Sequence, residues 1–193
     1  AMLGLLEPGD EVVAFEPVYD SYPATIALAQ AKLRTVTLPF PSFELDEDAL
    51  DAAIKPKTKV LLLNTPHNPT GKIFSASELE AIARRVRQHN LTVVTDEVYE
   101  HLFFERPHIP FAAFDGMKEH TLSVSSSGKT FSYTGWKLGW ATGPKHLIAA
   151  APRAHQFLTF TNAAPLQYAI ATALSDIPAS FYDELRAEFR ARR

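Results

Sequence analysis

Cysteine is absent from the 193-residue sequence, and long hydrophobic runs and clusters of basic residues are scarce. Without cysteine the chain forms neither a disulfide framework nor a cysteine-ligated zinc or iron–sulfur centre. Its apolar runs break within about ten residues, whereas a membrane span needs roughly 20. The net charge of -3 offers no basic surface for nucleic acid. We therefore expect a protein that neither crosses a membrane nor binds nucleic acid.

The first residues, AMLGLLEPGDE, also lack the basic stretch and the small-residue cleavage site of a secretory signal peptide. A cytoplasmic location is therefore expected. The same residues are typical of the last turns of a helix, which indicates that the sequence starts inside a longer chain. The closing residues, FYDELRAEFRARR, have the pattern of a charged helix with nothing after it to pack on, and they point the same way.

The composition is that of a globular protein, with 46% hydrophobic and 21% charged residues. A chain of this length buries enough surface for one large domain. Short apolar and β-branched runs alternate along it with helical patterns. The predicted strands are Glu11–Phe15, Leu33–Leu38, Lys59–Leu63, Leu91–Thr95, Thr121–Val124 and Leu138–Thr142. We expect the last three to be buried.

Helical patterns fill the intervals between these runs. The predicted helices cover Asp20–Lys32, Leu45–Ile54, Ser75–His89 and most of the chain beyond Pro144. The third begins with a capping box, because Ser75 stands three residues before Glu78, and it ends at Asn90. Strands that alternate with helices predict a three-layer α/β/α sandwich with a mostly parallel central sheet.

Proline and loop patterns complete this outline. Pro152 and Pro165 are expected to interrupt or begin helices, and Pro178 to open the final segment. The segments Phe40–Phe43 and Arg106–Lys118 are interpreted as surface loops.

Three polar segments follow predicted strands, where a parallel sheet binds its ligands. Asn64–Lys72, NTPHNPTGK, is an irregular loop in which Asn68–Pro69 is a candidate cis peptide bond. Asp96 follows the strand LTVVT, and a buried acidic residue there needs a cationic or hydrogen-bonding partner. Lys129 lies in a serine- and glycine-rich loop, whose hydroxyl and N–H groups can bind a phosphate while the amine acts as a nucleophile.

Each segment also has a purely structural interpretation. The proline-rich loop can be a plain turn, Asp96 can cap a helix, and Lys129 can be a surface lysine in a flexible loop. Each residue taken alone leaves these alternatives open.

Taken together, the motifs NPTG, DEVY and SSSGKTFSYTGWK resemble those of the class I and II pyridoxal-phosphate-dependent aminotransferases of fold type I. They stand in the order of that family: Asp96 lies 28 residues after Asn68, and Lys129 lies 33 residues after Asp96. The resemblance runs from about Glu11 to Thr172. It is to the group of kynurenine, methionine and N-succinyldiaminopimelate aminotransferases, and it implies the cofactor pyridoxal 5′-phosphate.

The resemblance implies a role for each residue of the motifs. Lys129 forms a Schiff base with the cofactor aldehyde and later moves a proton between substrate and cofactor. Asp96 pairs with the pyridinium nitrogen, so that the ring can accept electrons. Tyr99 and Asn68 hydrogen-bond the phenolate oxygen of the ring.

The resemblance extends to the phosphate and to the face of the cofactor ring. Ser126 and Lys137 match phosphate ligands of the family, although many relatives have arginine at the latter position, and lysine lacks its bidentate fork. Tyr19 corresponds to the aromatic residue that stacks on the ring, and an ordinary core tyrosine after a strand is the alternative interpretation.

The resemblance also implies amino acid and 2-oxo acid substrates and a homodimer, with Thr161–Pro165 near the subunit boundary. Residues 1–175 correspond to the large cofactor-binding domain without its first part, and residues 176–193 to the start of a helix that leads to a small domain. The glycine phosphate loop and the arginine that binds the substrate carboxylate fall outside this sequence. We therefore expect the 193 residues alone to bind cofactor poorly and to be inactive.

Two alternatives to an aminotransferase stay open at this stage. A carbon–sulfur β-lyase uses the same lysine and aspartate, although NPTG with DEVY favours transamination. An aminotransferase-like sensing domain of a transcription regulator would need a basic winged-helix segment upstream.

Overall fold

A six-stranded sheet forms the centre of the computed structural model, which describes all residues from Ala1 to Arg193. The strands are β1 (Glu11–Glu16), β2 (Lys32–Thr37), β3 (Thr58–Asn64), β4 (Thr92–Asp96), β5 (Thr121–Ser126) and β6 (Gly139–Thr142). Their order is β2-β1-β3-β4-β5-β6, and only the pairing of β6 with β5 is antiparallel. All six strands coincide with predicted runs to within about two residues at each end.

Helices connect most of the strands and form most of the chain after β6. They are α1 (Met2–Leu5), α2 (Ser21–Leu28), α3 (Glu47–Ala53), α4 (Ala76–His89), α5 (Ser127–Thr130), α6 (Lys145–Ile148), α7 (Ala150–Leu158), α8 (Ala164–Asp176) and α9 (Ala179–Arg192). Three single 3-10 turns cover Phe111–Ala113, Met117–Glu119 and Thr134–Trp136. None of the helices combines the length and the apolar character that a membrane crossing requires.

The ends of α4 confirm the signals in the sequence. The Ser75 side chain accepts a hydrogen bond from the Glu78 N–H, and the Glu78 carboxylate accepts one from the Ser75 N–H, which completes the capping box. Asn90 ends the helix in the left-handed conformation, which asparagine tolerates better than most residues. Pro165 lies in the first turn of α8, where the missing N–H costs no hydrogen bond.

The core has two parts, one on each face of the sheet, because successive side chains of a strand point to opposite faces. In β3, Leu61 and Leu63 pack with α4 on one face, whereas Val60 and Leu62 pack with α1 and α2 on the other. β4 divides in the same way, with Val93 on the α4 face. Both faces of the sheet are therefore buried under helices, and the predicted three-layer α/β/α sandwich is confirmed.

Two details of the sequence interpretation are wrong. The strand β6 is not buried: it lies at the edge of the sheet and is mostly exposed, because only β5 pairs with it. The segment Arg106–Lys118 is not simply a surface loop, since Phe111 and Met117 are fully buried in the core on the α4 face. Two short 3-10 turns position these side chains in the core. Because each turn is only three residues long, the sequence shows no helical periodicity there.

Candidate active site

The carboxyl ends of β3 and β4 lie side by side, with Asn64 opposite Asp96 in the register. The Asn64 amide donates to the Asp96 carbonyl oxygen at 2.9 Å, and its own oxygen accepts a hydrogen bond from the Asn68 N–H at 2.7 Å. Asn64 thereby joins the loop after β3 to the end of β4. Sequence reasoning did not select this residue, although it is the polar end of an otherwise apolar strand.

The Asp96 carboxylate is half-buried and has two partners within the chain. One oxygen accepts a hydrogen bond from the Tyr22 hydroxyl at 2.7 Å, and the other accepts one from the Val98 N–H at 3.3 Å. Burial raises the pKa of Asp96 above the ordinary aspartate value, and the hydrogen bond from Tyr22 opposes this rise. Burial and the Asp96 charge raise the pKa of Tyr22, so its hydroxyl stays a hydrogen-bond donor. Tyr22 was also missed in the sequence.

Lys129 and Tyr99 approach each other from the loops after β5 and β4. The Lys129 amine lies 5.6 Å from the centre of the Tyr99 ring. Lys129 belongs to the single turn α5, at whose start the Ser126 hydroxyl accepts a hydrogen bond from the Gly128 N–H at 3.3 Å. A Cβ atom at Gly128 would lie 2.8 Å from the Thr134 Cα, so this turn packs as tightly as it does only with glycine.

The two remaining predicted residues are less enclosed. The Tyr19 ring is 43% exposed and meets the Tyr22 ring edge-on at 5.5 Å, which places it beside the partner of Asp96. Lys137 is exposed in the left-handed conformation, with no hydrogen bond or ion pair from its amine. The structure thus brings Asn68, Asp96, Tyr99, Ser126, Lys129 and Tyr19 to one edge of the sheet. It shows no contact that ties the Lys137 side chain to them.

A cavity of about 960 Å³ opens beside this cluster. It is lined by Asn68 and Tyr99 and extends along the aromatic segment Leu102–Arg106 towards Lys72 and Glu78. Neither Asp96 nor Lys129 lines it, so the cavity adjoins the cluster and is not centred on it. The loop on its wall contains the cis peptide bond expected at Asn68–Pro69.

The polar side-chain atoms that have no hydrogen-bond partner within the chain are of the kinds that pyridoxal phosphate requires. The Lys129 amine, the Asn68 side-chain amide and the Tyr99 hydroxyl have no hydrogen-bond partner within the chain. The polar side chains around them are already committed, since Asn64, Thr95, Ser125 and Ser127 all form intrachain hydrogen bonds. An amine, a carboxylate and two donors at the carboxyl edge of a parallel sheet match the aldehyde, the ring nitrogen and the phenolate oxygen of this cofactor.

This combination of an α/β/α sheet and a lysine–aspartate cluster at its carboxyl edge defines the class of pyridoxal-phosphate-binding proteins of fold type I. The model of the family "Aminotransferase class I and II" matches residues 1–193, and the chain belongs to that family. Members of the family and relatives of this chain depend on pyridoxal phosphate.

Individual relatives support this assignment. The chain is 51% identical to the probable N-succinyldiaminopimelate aminotransferase of Mycobacterium tuberculosis and 37% identical to the kynurenine–oxoglutarate transaminase of Dictyostelium discoideum, with 100% of this chain and 49% of each relative covered. The solved N-succinyldiaminopimelate aminotransferase from Mycobacterium tuberculosis has a TM-score of 0.95 at 50% identity, over 100% of this chain and 50% of the other. The chain thus spans about half the length of the curated relatives it matches.

Proposed function

We propose that the whole protein carrying this chain is a pyridoxal-phosphate-dependent aminotransferase, which moves an amino group between an amino acid and a 2-oxo acid. One observation carries the proposal: the free donors of Lys129, Asn68 and Tyr99 and the half-buried carboxylate of Asp96 share the carboxyl edge of the sheet, in a chain of the aminotransferase class I and II family. The three relatives named as N-succinyldiaminopimelate aminotransferase, kynurenine–oxoglutarate transaminase and methionine aminotransferase support the same activity.

The bound cofactor supplies an electron sink for the substrate carbon that carries the amino group. With the cofactor bound, the Lys129 amine would hold its aldehyde, and the same amine, when free, would take up or return the proton at the substrate Cα. Asp96 holds the proton on the ring nitrogen, and Tyr22 orients Asp96 through its 2.7 Å hydrogen bond. Tyr99 and Asn68 donate to the phenolate oxygen of the ring.

The same proposal assigns the groups around the phosphate and the ring. The Ser126 hydroxyl, at the end of β5, donates to the phosphate, and the Lys137 amine adds a positive charge from an exposed position. Tyr19, whose ring lies 5.5 Å from that of Tyr22, would cover one face of the cofactor ring and restrict water there.

We also propose that the whole protein is a cytoplasmic homodimer. The region around Thr161–Pro165 is flanked by aromatic side chains that face solvent in the single chain, with Phe157 84% and Tyr168 78% exposed. Large apolar side chains clustered in this way are typical of surfaces that a partner covers. Phe157→Ser with Tyr168→Ser is expected to weaken the dimer in sedimentation experiments, whereas Phe40→Ser, equally exposed at the other edge of the sheet, is not. A fully active wild-type monomer would contradict this proposal.

The domain assignment follows from the same observations. We propose that residues 1–175 form the cofactor domain and that residues 176–193 begin a helix that continues towards a small domain of the whole protein. α9 has no buried residue in the single chain, which supports this assignment. The groups that complete the phosphate and substrate sites come from the rest of the whole protein, so the 193 residues alone are expected to bind cofactor poorly.

The activity is tested with Asp96→Asn in the whole protein, with the exposed Asp115→Asn as its control. Asp96→Asn keeps the size and shape of the side chain but removes its charge. We expect a fall of about 100-fold in the rate of the amino-acid half-reaction with the cofactor still bound. Asp115→Asn leaves the rate unchanged. An unchanged rate in Asp96→Asn would exclude the role proposed for this carboxylate.

A further inference from the structure

The loop that carries Asn68 ends at a lysine whose amine is tied to the start of α4. Lys72 Nζ lies 2.6 Å from Glu78 Oε1, and the two side chains are only 9% and 16% exposed. The same amine lies 4.8 Å from the centre of the ring of Phe74, which is fully buried. The flexible stem of this lysine is therefore held at its end by both a carboxylate and an aromatic ring.

The Glu78 carboxylate has enough partners to hold Lys72 in one position. Its Oε1 also accepts a hydrogen bond from the Leu45 N–H at 3.0 Å. Its Oε2 accepts hydrogen bonds from the Ser75 N–H at 2.8 Å and from the Ser75 hydroxyl at 2.9 Å. With four donors on its two oxygens the carboxylate is fully paired, and it joins Lys72 to the backbone of two separate segments.

The loop between Asn68 and Lys72 is closed on itself by hydrogen bonds. The His67 N–H donates to the Lys72 carbonyl at 2.8 Å, and the Gly71 N–H donates to the His67 carbonyl at 2.7 Å. The Lys72 N–H also donates to the Thr70 hydroxyl oxygen at 3.2 Å, and that hydroxyl forms a 2.8 Å hydrogen bond with His67 Nδ1. A movement of Lys72 is therefore transmitted to His67 and to its neighbour Asn68.

Two anchors set the position of Asn68. On the sheet side its N–H donates to Asn64 Oδ1 at 2.7 Å. On the α4 side the closed loop joins it to the pair of Lys72 and Glu78. Asn68, Lys72, Glu78 and Tyr99 line the same cavity, so the pair and the free amide of Asn68 lie on one wall system beside the candidate site.

We propose that Lys72 and Glu78 are positioning residues for Asn68, whose amide they hold in the place from which it donates to the phenolate oxygen of the bound cofactor. This inference rests on the proposed function, which assigns that hydrogen bond to Asn68. The pair reaches Asn68 through the closed loop and is not itself catalytic.

The other ionisable side chains that line the cavity are Glu44, His67, Tyr99, Glu105, Arg106 and Arg193. None of these side chains forms a hydrogen bond or an ion pair with the side chain of Lys72 or Glu78. Breaking the pair therefore leaves their own contacts in place.

The test uses the whole protein loaded with pyridoxal 5′-phosphate and measures the pH midpoint at which the visible absorption of the bound cofactor changes. A hydrogen bond donated to an oxygen anion favours the deprotonated form of the cofactor and lowers this midpoint. Asn68→Ala removes the bond and is expected to raise the midpoint by about 1–2 pH units. Lys72→Met loosens the loop and is expected to raise it by about 0.5–1 pH unit. Lys118→Met, which removes the same charge from an exposed position, leaves it unchanged.

Two further variants separate positioning from a direct effect of charge. In the double variant Lys72→Met with Asn68→Ala, the midpoint stays at the value of Asn68→Ala, because Lys72 acts on the cofactor through Asn68. Glu78→Gln removes a negative charge, which by a direct effect would lower the midpoint. Because it also loosens Lys72, we expect it to raise the midpoint, as Lys72→Met does.

An unchanged midpoint in Lys72→Met, additive shifts in the double variant, or a lower midpoint in Glu78→Gln would each overturn the inference. If Lys72→Met does not accumulate, Glu78→Gln combined with Asn68→Ala provides the same comparison. Failure of the proposed function is recognised separately, because the wild-type protein would then show no visible band that depends on Lys129, and the inference would fail with it.

Discussion

The sheet region, residues 1–144, and the helical region, residues 145–193, bury their apolar side chains to very different extents. In the sheet region the strands β1, β3 and β4 are covered on both faces, and many of their side chains are wholly buried. In the helical region Leu147, Ala150 and Ile170 are the buried side chains, and α9 has none. Phe157 of α7, Phe160 between the two helices and Tyr168 of α8 face solvent there instead.

The sheet region is therefore stabilised by contacts within this chain, whereas the helical region leaves apolar side chains for contacts with other parts of the protein. The candidate site lies in the sheet region, where adjacent strand ends hold Asn64 and Asp96 in a fixed register. Its lysine turn is fixed by tight packing at Gly128. We therefore expect the stability of the chain to depend on the sheet region, while the exposed helical region contributes mainly to assembly.

The largest difference in unfolding free energy is expected between alanine substitutions of two phenylalanines. Phe74 is fully buried, with its ring 5.2 Å from that of Phe15, whereas Phe157 is 84% exposed. Phe74→Ala is expected to cost about 3–5 kcal/mol of unfolding free energy, because it removes a large side chain from a packed core. Phe157→Ala is expected to cost about 0.5 kcal/mol. Urea unfolding of the 193-residue chain measures both costs. Equal costs would contradict the claim that the sheet region determines the stability of the chain.

A smaller difference in unfolding free energy is expected between variants of two ion pairs. Glu78 receives hydrogen bonds from Lys72 and Ser75 in a mostly enclosed position, whereas Glu188 pairs with Arg192 on the exposed surface of α9. We expect Glu78→Gln to cost about 1–3 kcal/mol at neutral pH and Glu188→Gln to be nearly neutral.

The Glu78 pair also predicts a pH dependence. Burial alone would raise the pKa of Glu78, but the hydrogen bonds from Lys72 and Ser75 outweigh it, and the pKa is lowered from 4.5. A carboxyl with a lowered native pKa stabilises the fold above its unfolded value and loses that contribution as the pH falls through the native value. The cost of Glu78→Gln should therefore shrink below about pH 4.5. A cost that stays constant down to pH 3 would show that the charge of Glu78 is not what stabilises the fold.

The smallest difference in unfolding free energy is expected between serine substitutions at the starts of two helices. Ser75 caps α4 through its side chain, whereas α9 begins without a side-chain cap, and Ser180 lies in its first turn. Ser75→Ala is expected to cost about 1 kcal/mol because an N–H at the start of α4 loses its partner. Ser180→Ala should leave the unfolding free energy within about 0.5 kcal/mol of the wild type. Similar losses in the two variants would mean that the capping box contributes nothing specific.

Local signals in the sequence predicted much of this fold. The β-branched runs located the six strands, and the Ser75–Glu78 pair located the start of α4, because these patterns act within a few residues. The motifs around Asn68, Asp96 and Lys129 identified the edge of the sheet that carries the candidate site, since each follows a strand.

Contacts between distant parts of the chain were not predictable in this way. The hydrogen bond from Tyr22 to Asp96 joins residues 74 positions apart, and it depends on how α2 packs against the sheet. The pairing of Glu97 with His108 and the burial of Phe111 likewise depend on the path of the segment after β4. The periodicity of nearby residues in the sequence does not predict such long-range contacts.

The central claim, that this edge of the sheet holds pyridoxal phosphate through Lys129, is tested most directly by trapping. The whole protein is loaded with cofactor and treated with borohydride, and its peptides are then mapped by mass spectrometry. We expect a cofactor adduct on the peptide that contains Lys129 and none on peptides with Lys72 or Lys145. In Lys129→Ala the adduct is lost. An adduct on another lysine, or one that persists in Lys129→Ala, would contradict the account.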